Sequence, residues 1–174
     1  MMRHFATALA LLAVPTIAHG EVVSADRTSL SVRGSVEVAA APGVVWRTLI
    51  RPARWWNKVH TWSGDAANLS LDPRPGGCFC ERLPGGGGVA HLRVVYVDPA
   101  KLLRLTGALG PLQSQPAGAV LTVALKTAGA GTSLSWSYVV SGLVSLDGTA
   151  MAAPVDRVLA EQFARLATVA AQGR

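Results

Sequence analysis

The 174-residue sequence predicts an α+β fold: a curved antiparallel sheet of seven strands, two short helices near the start and one long helix at the C-terminus. Three observations predict it. Seven segments carry strand patterning, six of them with clear period-two alternation, the sign of a sheet with one wet and one dry face. Most connections between them are short Gly/Pro/Asp turns of hairpin length, "DPRPGG", "PGGGG", "DPAK" and "AGAG", so the segments from 67 to 141 run as a meander. One extended amphipathic stretch follows the last strand, and the dry face of the sheet is what its apolar stripe can cover.

The first strand is "SLSVRGSVEV" (29–38), in which Leu30, Val32, Val36 and Val38 alternate with polar residues. "APGVVWRTLI" then places Pro42 at a first helical position, with Val45, Trp46 and Leu49 at helical spacing. Pro52 opens a second short turn, "PARWW". Leu69 and Leu71 face inward from "ANLSLD", and "GCFCERL" (77–83) is a less regular strand. In "VAHLRVVYV", Ala90, Leu92, Val94 and Tyr96 share a face opposite His91 and Arg93. Leu103 and Leu105, then Leu121, Val123 and Leu125, then Leu134, Trp136, Tyr138 and Val140 supply the inner faces of the last three strands. Pro154 opens the long helix, 154–171, whose stripe runs through Val155, Val158, Leu159, Gln162, Phe163, Leu166 and Val169.

The N-terminus reads as a secretory signal peptide, residues 1–20. A basic start at Arg3 precedes an apolar run from Phe5 to Ile17, and Ala18-His19-Gly20 forms a small-residue cleavage site. Cleavage after Gly20 implies a periplasmic or secreted protein, with no stable membrane insertion once the signal is removed, because the apolar run is shorter than a bilayer span. Residues 21–28 are then an N-terminal extension and 29–171 a single domain. Sixteen Lys/Arg against ten Asp/Glu give a net charge of +6, and loss of Arg3 lowers it to about +5. The basic residues are scattered, without a run or an aromatic alternation, which argues against nucleic acid as a partner.

The opening stretch carries a family resemblance. "VEVAAAPGVVWRTLIRPARWWNKVHTWSG" resembles the start of SRPBCC proteins, the superfamily of START lipid-transfer domains, the birch-pollen allergen family and polyketide cyclases. The residues that carry it are Pro42, Val45-Trp46, Pro52 and Trp55-Trp56. Arg51 stands where Asp is frequent, which removes the usual cap of that turn. "GGCFCERLPGGGGVAHLRVVYVDPAKLLRL" is similar to uncharacterised members. The resemblance spans about 30–170 and implies the helix-grip fold, in which an apolar cavity lies between the long helix and a curved sheet. It says little about activity, because one fold hosts many functions.

Candidate site residues follow from the strand faces and from the aromatic cluster at 55–62. Trp55 and Trp56 are adjacent and point about 100° apart, so one is expected to pack and the other, Trp56, to reach the cavity. His60 and Trp62 lie in the loop at the expected mouth. Trp136 and Tyr138 offer polar handles on the dry face, an indole N–H and a hydroxyl. Cys78 and Cys80 sit about 6.7 Å apart on one face of a flat strand at ~3.3 Å per residue. That geometry disfavours a direct bond, so both are expected as free thiols on the dry face, with Cys80 at the cavity. No second Cys or His pair completes a metal site, so neither a metal nor another cofactor is expected. A five-residue hairpin loop would place Glu81 opposite His91, an acid–base pair by type, on the wet face beside Arg93. With no Asp, Glu or Lys on the dry faces, the sequence favours a binding or carrier protein for a small apolar ligand, lipid-like or polyketide-like and aromatic. The alternative is a cyclase- or hydrolase-type enzyme using Tyr138, His60 or a thiol in the same cavity. A third role, as a chaperone-ATPase activator suggested by one branch of the family, is disfavoured by export. The oligomeric state is not legible in the sequence.

Overall fold

A computed structural model describes residues 18–173. The strands are β1 His19–Ala25, β2 Ser29–Val38, β3 Leu69–Leu71, β4 Cys78–Arg82, β5 Gly88–Asp98, β6 Leu102–Thr106, β7 Gly118–Ala128 and β8 Gly131–Ser141. Helix α1 spans Pro42–Leu49 and helix α2 spans Gly148–Gln172. All eight strands form one sheet in the order β1-β2-β8-β7-β6-β5-β4-β3, every pairing antiparallel. β3 to β8 are the expected meander, and β2 closes against β8.

The strand beyond the expected seven is β1, which falls in and just before the segment 21–28. It shows no alternation because all seven of its residues are exposed. Backbone pairing to β2 holds it, with Val23 bulged out of register. A cut after Gly20 would leave Glu21–Ala25 of this strand in place. The apolar run of the expected signal lies outside the described residues, and among them no helix is long and apolar enough to cross a membrane.

Pro42 occupies the first turn of α1, as its fixed φ favours. The turn Pro52–Arg54 has no side-chain cap from Arg51. Helix α2 begins earlier than expected, at Gly148. Asp147 caps it by accepting from the Thr149 amide at 2.8 Å. Pro154 therefore lies inside the helix, where it removes one backbone hydrogen bond. The C-terminal half of α2 covers an aromatic pile. Phe163 stacks on Trp136 at 4.6 Å and on Trp55 at 6.2 Å, and Leu166 and Ala170 are fully buried beside it.

Two strands depart from the expected faces, for identifiable reasons. In β4 the buried residues are Phe79 and Glu81, while Cys78 and Cys80 turn to the outer face. The large ring of Phe79 gains more from burial than a thiol does, and Glu81, two residues on, is carried inward with it. The cysteines are bonded to each other, not free, and their Cα atoms are 5.3 Å apart. That is shorter than a flat strand gives and within disulfide range. In β5, Phe79 pairs Leu92 and Cys80 pairs Ala90, so His91 is a bulge residue. A bulge sets two residues against one and inverts the alternation beyond it. His91 and Leu92 consequently both point inward. A second bulge at Val95, between the Val94–Leu105 and Tyr96–Arg104 pairs, turns Tyr96 out, against expectation. The hairpin register differs too, with Glu81 opposite Val89 instead of His91. The Leu83 amide donates to the Gly87 carbonyl across a tight turn in which Gly85 and Gly86 hold φ of 80° and 89°.

Candidate functional site

The aromatic pile fills the space under the C-terminal half of α2, and a cavity of about 360 Å³ remains at the other end. Its α2 wall is apolar: Met151, Pro154, Val155, Val158 and Leu159. Phe79, His91 and Tyr138 come from the sheet, and the segments 56–62 and 109–112 close the sides.

Both side segments are tied down. Asn57 donates its amide to Gln162 Oε1 at 2.7 Å and its side-chain Nδ2 to Glu161. Arg165 Nε donates to the Trp55 carbonyl at 2.8 Å, and His60 Nε2 lies 3.3 Å from Glu161 Oε2. On the opposite side Gln113 Nε2 donates to the Ala90 carbonyl at 2.8 Å. Gln115 Oε1 accepts from the Ser145 amide at 2.9 Å.

Trp56, His60, Trp62 and Tyr138 all line this cavity. Trp56 is a wall residue, edge-on to Phe79 at 5.4 Å, with its indole N–H on the His60 carbonyl at 3.0 Å. Trp55 packs on Phe163 and donates to the Thr48 carbonyl at 3.0 Å. Trp56 reaches the cavity and Trp55 does not, but the two rings do not part as expected: both are buried and touch, with centroids 5.4 Å apart. Trp62 is at the mouth, 56% exposed. Trp136 is not among the lining residues. It lies within the aromatic pile, and its buried Nε1 has no hydrogen-bond partner among the described residues. Cys80 faces away, on the outer side of β4.

The sequence reading missed the most polar feature beside the cavity, His91 on its wall with Glu81 behind it. Glu81 and His91 are 2% and 6% exposed, and the Glu81 Oε2 to His91 Nε2 distance is 2.9 Å. They belong to the inner face, not the wet face with Arg93. Nor is that face free of acids, as the expected alternation implied. Glu81 also accepts from the backbone amides of Trp62 (3.1 Å) and Ser63, so one carboxylate anchors both the imidazole and the mouth loop. Burial raises the Glu81 pKa, but the hydrogen bonds from Ser63, Trp62 and His91 outweigh it, and the net shift is downward. The carboxylate is therefore ionised at neutral pH. Burial lowers the His91 pKa more than Glu81 raises it, so the ring is neutral. An ionised Glu81 fixes the proton on Nε2, which leaves Nδ1 as a lone pair without a partner among the described residues. The ring packs 5.2 Å from Phe79.

Tyr138 lies on the same wall. Its oxygen accepts from the Leu109 amide at 3.0 Å, and its hydroxyl is 3.5 Å from the Gly107 carbonyl. Burial pushes its pKa up to about 12, so it stays a donor. Among the described residues no group of three or more metal-ligating side chains converges.

Known structures share the fold. A protein from Rhizobium leguminosarum matches with a TM-score of 0.62 at 19% identity, covering 90% of this chain and 99% of that one. CalU16 from Micromonospora echinospora matches with a TM-score of 0.57 at 17% identity over 88% and 83% of the two chains. DynU16, a protein of the dynemicin biosynthetic locus, gives 0.57 at 18% identity over 83% of this chain and 48% of its own. No curated protein matches. Residues 29–171, the meander, both helices and every cavity wall, match the family described as polyketide cyclase / dehydrase and lipid transport, and the chain belongs to that family.

Proposed function

We propose that the chain is exported and takes a small, largely apolar molecule into the cavity beneath the N-terminal half of α2. The observation that carries this reading is the cavity itself: about 360 Å³, with an all-apolar helix wall and indole rings at its wall and mouth. That volume lies within the range of small-molecule sites, which are mostly apolar with a few placed polar groups. The relatives' names, a cyclase, dehydrase and lipid-transport family and a biosynthetic-locus protein, support the same ligand class. The disulfide between Cys78 and Cys80 supports export, since such bonds persist in oxidising compartments.

Within this reading the sequence favours a carrier because its alternation puts no acid on the dry face. Glu81 removes that premise. His91 on the cavity wall, backed by Glu81 in contact with it, is an ionisable pair that a carrier does not need and an enzyme does. The Glu81–His91 pair therefore favours the second reading, an enzyme acting on the bound molecule.

Native mass spectrometry of protein purified from its own compartment tests the ligand. A co-purifying small apolar molecule is expected, lost on replacing Val155 and Val158 by bulkier Phe. N-terminal sequencing of the same sample tests export, with Glu21 expected as the first residue. A chain starting at Met1 would remove export from the proposal and leave the cavity reading standing.

A further inference from the structure

We propose that His91 is a catalytic general base, with Nδ1 as the proton acceptor and Glu81 as its positioning residue, acting on a carbonyl compound held in the cavity. The inference rests on the apolar-ligand reading above and deepens it by naming the substrate class and the step.

Four features of the site point there. The Glu81–Nε2 bond at 2.9 Å orients the ring and holds its proton on the far nitrogen, the arrangement that makes an imidazole a directed base. Glu81 is itself fixed by the Trp62 and Ser63 amides, so the pair has little freedom to rotate. His91 reaches the cavity only because it is a bulge residue, and bulges recur next to active sites, where they re-aim a side chain. The fourth feature is Tyr138, a protonated hydroxyl on the same wall, polarised by the Leu109 amide and holding only a long bond to the Gly107 carbonyl.

The wall supplies no nucleophile beside this base. Among the described residues lining the cavity there is no Cys, Ser or Lys, and Thr61 is committed to the Lys58 carbonyl at 2.7 Å. A base with a hydroxyl donor and no nucleophile suits proton removal from the ligand itself. The step is enolisation. The C–H bond next to a carbonyl breaks and its proton bonds to His91 Nδ1. The electron pair forms a C=C bond while the carbonyl π pair moves onto oxygen, which accepts a hydrogen bond from Tyr138. Return of the proton from Nδ1 to carbon closes the cycle without any co-reactant. The imidazolium formed in between is paired to the Glu81 carboxylate.

The titratable groups facing His91 are few. Glu81 comes from β4, Tyr138 from β8 and His60, paired to Glu161, from the mouth loop; among the described residues α2 presents only apolar side chains to the cavity. A rate that depends on neutral His91 should rise with pH and level off by neutrality.

Two measurements test the proposal. ¹⁵N NMR of the free protein should show His91 as the Nε2–H tautomer at pH 7; an Nδ1–H or a doubly protonated ring overturns it. The second uses 2-tetralone in D₂O, with binding read from tryptophan fluorescence and α-hydrogen exchange read by ¹H NMR. Exchange at least tenfold faster than with equimolar free imidazole is expected, and it should vanish in His91→Gln. In Glu81→Gln the amide oxygen can still hold the loop, but its NH₂ donates to Nε2 and moves the ring proton to Nδ1. Exchange should drop at least tenfold with the dissociation constant unchanged, and Glu81→Asp should restore part of it. Bound ketone exchanging no faster than in His91→Gln overturns the base while leaving the cavity reading intact. Failure of the ketone to bind counts against the cavity reading, and the tautomer then decides the base.

Discussion

Trp46 and Trp62 are the same side chain in opposite settings, and they separate stability from binding. Trp46 is buried on α1. Truncation to Ala should lower stability by about 3–5 kcal/mol, the cost of removing a core aromatic ring, read as a fall in the denaturant midpoint. Trp62 is half-exposed at the cavity mouth, and what Glu81 anchors is its backbone amide, not its ring. Trp62→Ala should weaken an apolar probe by about 1–2 kcal/mol and leave the midpoint nearly unchanged. Acid should act through the buried pair. His91 has its folded pKa lowered from 6.5 by burial, so the unfolded chain takes up that proton more readily. Stability is then complete above about pH 6.5 and declines as pH falls below it. Glu81, lowered from 4.5, adds a second decline below pH 4.5. The melting temperature should fall between pH 7.5 and 5.5, and fall less in His91→Gln. An equal fall in that variant would place the pH sensitivity elsewhere.

Elements with unbroken alternation were legible in the sequence. β2, β6, β7 and β8 face as their patterns require, because each keeps one register along its length. β4 and β5 were not legible, and the site was misread with them. A bulge adds one residue and leaves no mark in an alternating pattern, so Ala90, His91 and Tyr96 fell on the wrong faces, while Leu92, Arg93 and Val94 face as read. β1 was illegible for a different reason, since no face of it is buried. In α2 the cap at Asp147, not Pro154, sets the start, and of the stretch before the proline Met151 joins the cavity wall. The interlock between α2 and the mouth loop also depends on one unforeseen residue. Gln162 sits in the apolar stripe, fully buried, and its oxygen accepts the Asn57 amide. Gln162→Leu should cost about 1–3 kcal/mol, the penalty of a buried unsatisfied amide, and should speed hydrogen exchange at Asn57. The disulfide should behave differently. Thiol titration of unfolded, non-reduced protein should count no free cysteine. Replacing both cysteines by Ser should cost about 1–2 kcal/mol, as a very short loop implies, without changing probe affinity, because both lie on the outer face.

At the scale of the whole molecule, the sheet is wider than one helix can cover. The aromatic pile closes one end and the mouth loops only partly close the other, so a ligand bound there touches β4, β5, β8, α2 and both loops at once. Binding should therefore stabilise the fold as a unit. A ligand at one hundred times its dissociation constant adds about 2.7 kcal/mol to the folded state. For a chain of this length that corresponds to a rise in melting temperature of roughly 5–11 °C. Ionic strength then distinguishes the cavity from the surface. The chain carries +6 net charge, which would draw anionic amphiphiles to its exterior. Among the described residues, by contrast, no Lys or Arg lines the cavity. An amphiphilic carboxylate held in the cavity by its apolar part should keep most of its thermal shift between 50 and 500 mM salt, because exposed charges are screened within about 3 Å at molar salt and buried apolar contacts are not. A shift that collapses in high salt would mean that the probe binds the basic exterior, and the cavity would lose its standing as the binding site.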